Sequence, residues 1–152
     1  MEIALAQGDT QLAAKRIAAV PEDASRPRLL LETQVALTLN DGARVKRQGE
    51  LLQAWVSEHR NDSLAWATLS SCAERQGQAL RAVRALAESY AANGDLGGAI
   101  DRLRAGQRLA RSSTGVDFID ASVIDSRLRD LEGQRRRLMD ELRGKNGPRE
   151  PE

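Results

Sequence analysis

The sequence has few of the residues on which a β-sheet core, a metal site or a disulfide framework depends. Among 152 residues, aromatic side chains make up 3%, and histidine and cysteine occur once each. A sheet needs β-branched and aromatic residues in alternation with polar ones, and that pattern is absent. A metal site needs several converging ligands, and one cysteine excludes an internal disulfide. These shortages argue against a sheet, a metal centre and a disulfide scaffold.

A charge excess and a long apolar run are also missing. The 23 basic and 22 acidic residues leave a formal net charge of +1, whereas nucleic-acid-binding domains normally carry a basic excess or stripe. No apolar stretch approaches the roughly 20 residues that span a bilayer. The start, Met1-Glu2-Ile3-Ala4, has neither the basic end nor the apolar core of a signal peptide. It resembles the middle of a helix, so we expect a fragment of a longer protein.

Small and straight-chain residues dominate what is present. Ala, Leu, Arg, Glu and Gln are frequent, and these side chains lose little freedom in a helix. Turn-forming pairs such as Gly8-Asp9 and Gln76-Gly77 interrupt the apolar periodicity. The pattern predicts an all-α fold of about seven or eight helices, with a disordered tail over 144–152. The predicted helices are 2–7, 10–20, 28–39, 43–60, 63–76, 79–92, 96–111 and 117–143.

The spacing of the turns predicts a repeat. Gly8 and Gly42 are 34 residues apart, and Gly77 follows 35 residues after Gly42. Gly94 comes after a further half period. A helix-turn-helix unit of 34 residues is typical of the tetratricopeptide repeat. We therefore expect tetratricopeptide-like repeats, forming an α-α superhelix, over residues 1–111.

Residue types at fixed positions favour the same repeat. Trp66-x-x-Leu69 matches the opening of the repeat pattern, and Ala82-x-x-x-Leu86 matches its later step. A second frame overlaps this one by half a unit and passes through Ala99. Two helices cross closely only where one of them carries a small side chain. We therefore predict helix crossings at Ala13, Ala82 and Ala99.

The last predicted helix, over residues 116–143, has a narrow apolar seam. Its apolar positions recur at alternating steps of three and four residues, interrupted once by Arg135. The helix either caps the end of the repeats or docks on a partner. Capping is favoured because terminal repeats must be atypical. The candidate docking seam is Ile124, Leu128, Leu131, Leu138 and Leu142.

The two residues whose side chains could act in catalysis or metal binding are interpreted as structural. His59 follows Trp55 on one helix face, so we interpret it as a helix-end residue that packs on that indole. Cys72 falls on the inner face of its helix, where a buried cysteine acts as a small hydrophobe. Neither residue has a converging base or ligand in the sequence. We predict no catalytic residue, no metal ligand and no cofactor in this chain.

The repeat geometry predicts a binding groove. In such solenoids the first helix of each pair lines the concave side. Arg75, Arg81 and Arg84 form a basic cluster suited to a carboxylate or acidic segment, so a protein or peptide partner is expected. An ordinary solvated surface is the alternative. The candidate groove residues are Leu64, Ala67, Ser71, Glu74, Arg75, Arg81, Arg84 and Glu88.

Several short stretches together resemble a known family. They resemble the C-terminal repeat region of BepA-like bacterial zinc metalloproteases, and the likeness covers most of residues 29–142. The stretches are Gly77-Gln78-Ala79-Leu80-Arg81-Ala82, Ala87-Glu88, Gly94-Asp95-Leu96, Ala99-Ile100, Arg102-Leu103 and Ile124-Asp125-Ser126-Arg127-Leu128.

The resemblance implies a parent protein, a zinc-dependent metalloendopeptidase of the periplasm. Its N-terminal catalytic domain would carry zinc at an H-E-x-x-H motif. Its C-terminal repeats would contact that domain and the outer-membrane assembly machinery or its clients. No position of this chain matches a zinc ligand or catalytic residue of the family, so none is carried over. The chain itself would be an excised, non-catalytic module that recruits substrates or partners in outer-membrane protein quality control.

Two other functions remain open from the sequence. One is a free-standing cytoplasmic adaptor that binds peptides in its groove. The other is a structural oligomerisation domain that works through the last helix. An upstream H-E-x-x-H motif and signal peptide in the parent gene would separate the first hypothesis from the adaptor.

Overall fold

The computed structural model describes Leu12, Lys15 and residues 25–112, 115 and 117–145. This part of the chain is all-helical, which confirms the predicted fold class. It contains six helices: α1 (Arg26–Thr38), α2 (Gly42–Glu58), α3 (Ser63–Arg75), α4 (Ala79–Ala92), α5 (Leu96–Ser112) and α6 (Phe118–Lys145). The prediction was seven or eight. The two further predicted helices, 2–7 and 10–20, lie outside the described residues apart from Leu12 and Lys15.

Three helices end in the same way, at a residue in the left-handed backbone region. Asn40, Gly77 and Gly94 have φ values of 54°, 70° and 82°. In each case the next residue donates its backbone N–H to the carbonyl five positions earlier, as in the link from Asp41 to Ala36 at 3.1 Å. This is the Schellman motif, which satisfies the last free carbonyls of a helix.

One of the predicted turn residues is therefore misplaced. Gly42 is the first residue of α2 and does not end α1. Asn40 ends α1 instead, because asparagine tolerates positive φ better than other non-glycine residues. Pro27, predicted to precede the helix, lies within the first turn of α1, where its missing N–H costs nothing. The glycine spacing of 34 and 35 residues thus does not mark equivalent turns.

The six helices stack in chain order. Each helix packs on the next, and two additional pairs pack one helix further along, α1 with α3 and α4 with α6. Helix α4 divides the interior, since Ala85 belongs to a core with α2 and α3, and Ala87 belongs to a core with α5 and α6. The first core contains Ala36, Val45, Leu52, Val56, Ala65, Trp66, Leu69, Cys72 and Ala85. The second contains Leu80, Ala87, Ala99, Ile100, Leu103, Ile124, Leu128 and Leu131.

Small side chains lie where the helices approach closely. Ala82 and Ala99 are buried, as the predicted crossings require. The Ser70 hydroxyl donates to the carbonyl of Ala82 at 2.9 Å, so it directly joins α3 to α4. A Cβ on Gly106 of α5 would lie 3.0 Å from a methyl of Val83 and 3.1 Å from one of Ile124. Ala13, the remaining predicted crossing, lies outside the described residues.

Helix α6 has a buried half and an exposed half. Leu128 and Leu131 are buried against α4 and α5, whereas Leu138 and Leu142 are each 48% exposed. The helix extends to Lys145, two residues beyond the predicted end, and residues 146–152 lie outside the described part of the chain. None of the described helices combines the length and apolarity that crossing a bilayer requires.

Candidate functional site

A cavity of about 550 Å³ opens between α2, α4 and α6, with α3 as its floor. We refer to it as the α2/α4/α6 groove. Its lining mixes apolar, amide and charged side chains. Those residues are Lys46, Gly49, Glu50 and Gln53 from α2, Trp66, Leu69 and Ala73 from α3, Gln76 and Gln78 between α3 and α4, Arg81, Arg84 and Ala85 from α4, and Ile119, Asp120 and Val123 from α6.

The groove exists because α2 and α4 are kept apart by α3. The two helices are not among the closely packed pairs, although each packs on α3. Trp66 and Leu69 of α3 fill the floor between them and are nearly fully buried. The Trp66 indole N–H donates to the carbonyl of Arg60 at 3.0 Å, which fixes the ring in place. A large, anchored aromatic side chain thus forms the base of the groove.

Helices α4 and α6 form the opposite wall, and two ion pairs join them. Arg81 of α4 binds Asp120 of α6, with a closest distance of 3.1 Å. About two helical turns further along, Arg127 of α6 binds Glu88 of α4 through two hydrogen bonds of 2.7 Å each. The bidentate geometry is the stronger form of such a pair. Both pairs fix the wall against which a ligand would lie.

Arg84 is a basic residue of this wall for which the described part of the chain supplies no acidic partner. Its side chain lines the groove. The Nε atom is buried and has no hydrogen-bond partner within the described residues. The acidic residue one turn ahead on α4, Glu88, is already bound by Arg127. Buried N–H groups are normally paired, so an unpaired one calls for an explanation.

The groove contains two of the eight predicted groove residues, Arg81 and Arg84. Glu88 points to Arg127, and the exposed Arg75 donates to the side-chain oxygen of Asn40 at 2.6 Å. The predicted α3 residues are absent from the lining because a different face of α3, that of Trp66 and Leu69, forms the floor. Those α3 residues are Leu64, Ala67, Ser71, Glu74 and Arg75. The three predicted arginines therefore do not form one cluster in the groove.

Most of the lining residues were not predicted from the sequence, although the sequence of α2 contains one signal for them. On α2, Lys46, Gly49, Glu50 and Gln53 recur at steps of one helical turn and share a face. A polar stripe around a glycine is compatible with a groove wall. The contribution of Ile119 from α6 had no local signal, since it depends on how α6 folds back across α4.

The loop between α2 and α3 holds a second polar cluster, centred on Asp62. Its carboxylate accepts two hydrogen bonds from Arg26, at 2.6 and 2.8 Å, and one from the Trp55 indole at 2.9 Å. It also caps α3 through the N–H of Ala65 at 3.1 Å. These donors, Arg26 foremost, hold the pKa of Asp62 well below its ordinary value. Asp62 thereby joins α1, α2 and α3.

The single histidine and the single cysteine occupy the places predicted for them. The His59 ring stacks on Trp55, with centroids 3.8 Å apart and planes 7° from parallel. Cys72 is fully buried, and burial raises the pKa of its thiol to about 11. The thiol therefore remains protonated at neutral pH, in a form that is a poor nucleophile.

The candidate docking seam on α6 separates into two parts. Ile124, Leu128 and Leu131 belong to the second core and are closed to a partner. Leu138 and Leu142 are half exposed, as is Met139 beside them.

No protein-family model matches this chain, and a search of curated proteins finds no match to it.

Proposed function

We propose that this chain is a non-catalytic interaction module that holds a segment of another polypeptide in the α2/α4/α6 groove. The observation that carries the proposal is the groove itself. It is large enough for several side chains, and its floor is an anchored indole. Concave sites that combine apolar surface with a few placed polar groups are typical of ligand binding.

The helix ends and helix crossings support the same proposal. Three turns share one backbone geometry, and small residues lie at the helix crossings. These features fit a tetratricopeptide-like superhelix, whose stacked helices present a continuous concave surface for protein partners. In this arrangement the groove would be the local concave face.

The resemblance to BepA-like metalloproteases supplies the proposed context. In that context the chain is the C-terminal region of a periplasmic zinc metalloendopeptidase. It recruits the parent's own protease domain, outer-membrane assembly components or their clients. Reading the complete open reading frame tests this directly, since an upstream H-E-x-x-H and signal peptide are expected. Their absence would favour the cytoplasmic adaptor.

Blocking the groove tests the binding role. Gln53→Trp places an indole at an exposed position of the groove lining, and Ala54→Trp places the same group on α2 outside the lining. The first variant should lose binding to the separately expressed protease domain and to periplasmic extract, and the second should retain it. Both must show the parent's melting curve. Equal binding by the two variants would show that the groove is not the binding surface.

The exposed half of α6 favours a second candidate function, oligomerisation. Leu138, Met139 and Leu142 leave apolar surface uncovered at the end of a long helix. A pair of such helices could bury these residues in a coiled-coil seam. Sedimentation equilibrium measures this, and a monomer at all accessible concentrations would remove the candidate.

A further inference from the structure

We infer that the α2/α4/α6 groove selects a polypeptide segment by a single acidic side chain, which binds Arg84. The inference rests on the proposed function and names the chemistry of its ligand. It differs from recognition of an acidic stretch by three arginines, because Arg84 alone among those arginines lines the groove and has no acidic partner in the described ranges.

The pairing of charges around Arg84 indicates which chemical group of a ligand would bind it. Within the described residues, Asp120 is bound by Arg81 and Glu88 is bound by Arg127. The buried Nε–H of Arg84 is left without an acceptor. A carboxylate suits this position, since guanidinium groups form their strongest hydrogen bonds with carboxylates. A carboxylate in the groove would give the guanidinium of Arg84 the acidic partner that it lacks within the described residues.

The remaining charges of the groove favour one carboxylate over several. The lining contains three cations, Lys46, Arg81 and Arg84, and two anions, Glu50 and Asp120. One positive charge is therefore in excess. A second acidic side chain would approach Glu50 or Asp120 and be repelled. A polyacidic segment is thus disfavoured by the same groove that accepts one carboxylate.

The uncharged lining indicates that the carboxylate belongs to a side chain within a continuing segment. Gln53 and Gln78, on opposite sides of the groove, have amides without hydrogen-bond partners in the described part of the chain. Amide side chains can bond the backbone of a segment that passes between them. Ile119, which is 75% exposed at the α6 side, offers apolar surface to a neighbouring residue of that segment. The expected ligand has one Asp or Glu beside an apolar residue.

Two matched peptide pools test the inference. Both consist of amidated heptapeptides with neutral flanking residues and an uncharged fluorophore on the N-terminus, and they differ only in a central Glu or Gln. Fluorescence anisotropy should show about tenfold tighter binding of the Glu pool. Arg84→Gln should abolish that preference, and Arg108→Gln, at an exposed position on α5, should retain it. Retention of the preference by a folded Arg84→Gln variant would overturn the inference.

A second measurement needs no variant at Arg84. Nitrogen-15 spectra of the unaltered protein report the Arg84 Nε–H directly, and only the Glu pool should shift this signal. A third pool, with central Gln and a free C-terminus, separates the two possible carboxylate sources. If it binds as tightly as the Glu pool, a chain terminus is the ligand and the assignment to a side chain is wrong.

The outcomes distinguish this inference from the proposed function. Equal binding of the Glu and Gln pools, with signals of Trp66 and Ile119 shifting, overturns the carboxylate specificity and leaves the groove as a binding site. Binding by neither pool overturns the specificity as well. The comparison of Gln53→Trp with Ala54→Trp then shows independently whether the groove is the binding surface.

Discussion

The two helix triplets that share α4 differ in how their outer helices meet. In the triplet α4–α5–α6 the outer helices pack on each other, and in α2–α3–α4 they remain apart. The middle helices explain the difference. Helix α5 presents Gly106 to both neighbours, whereas α3 presents Trp66 and Leu69. The size of a few side chains on the middle helix thus decides whether the surface is a closed wall or an open groove.

In the open triplet, α2 and α4 each pack on α3 around the first core. Its outer helices have little direct packing, and Asp62 links the start of α3 to α1 and α2 through four hydrogen bonds. The closed triplet adds direct packing between its outer helices, reinforced by the ion pairs between α4 and α6. The groove therefore lies beside a wall whose two helices also contact each other directly.

Gly106→Leu should have the largest effect, because it removes the close approach of the closed triplet. Even a Cβ there would lie 3.0 Å from Val83 and 3.1 Å from Ile124, both of which pack around it. We expect a loss of about 3 kcal/mol in unfolding free energy. Gly42→Leu is the matched control, since nothing lies within 4 Å of its added Cβ, and it should cost nothing. Chemical denaturation measures both, and equal stabilities would contradict the packing argument.

Asp62→Asn probes the open triplet and should cost about 2 kcal/mol, because asparagine still caps α3 but loses the charged contacts to Arg26. The pH dependence follows from the lowered pKa of Asp62. The carboxylate should stabilise the fold above about pH 4, the ordinary aspartate value, and this contribution should be lost as the pH falls further. In Asp62→Asn the melting temperature should therefore fall less steeply as the pH is lowered below this value. If the variant and the parent show the same pH dependence of the melting temperature in acid, the carboxylate does not link the three helices.

The six described helices could be predicted from the sequence and the groove could not, for a physical reason. Helix positions follow from apolar periodicity and local turn chemistry, so even the contact between His59 and Trp55 was predictable. The groove depends on whether two helices that flank a third one contact each other. That is set by residues of the middle helix such as Gly106, which has no side chain to hold its neighbours apart. In a repeat frame that begins at Trp66, this residue is expected only to pack between helices. In the structure it belongs to the first core and also forms part of the groove floor. The pairing of Arg75 with Asn40 likewise had no local signal.

A double-mutant cycle on Glu88 and Arg127 measures how firmly the wall of the groove is fixed. Their bidentate contact is mostly shielded from water, so we expect a coupling energy of about 1 kcal/mol that weakens only slightly in salt. The cycle on Arg81 and Asp120 is the comparison. Arg81 has a side chain that is 55% exposed, and its coupling should stay below about 0.5 kcal/mol. Equal couplings would mean that exposure does not distinguish the two pairs.

Leu138→Glu should have the smallest effect on stability. It tests the exposed half of α6, which extends past the closed triplet. Leu138 is 48% exposed, so the charge should change the unfolding free energy by less than about 0.5 kcal/mol. Leu131, on the same predicted seam, cannot serve this test because it is 1% exposed and its replacement by Glu would unfold the second core.

If the chain is a dimer, sedimentation of Leu138→Glu should show a monomer with the parent's melting curve. Ser126→Glu, at an exposed position of the buried half of α6, is the control for added charge and should leave the association state unchanged. A dimer that persists in Leu138→Glu would exclude the exposed half of α6 as its interface.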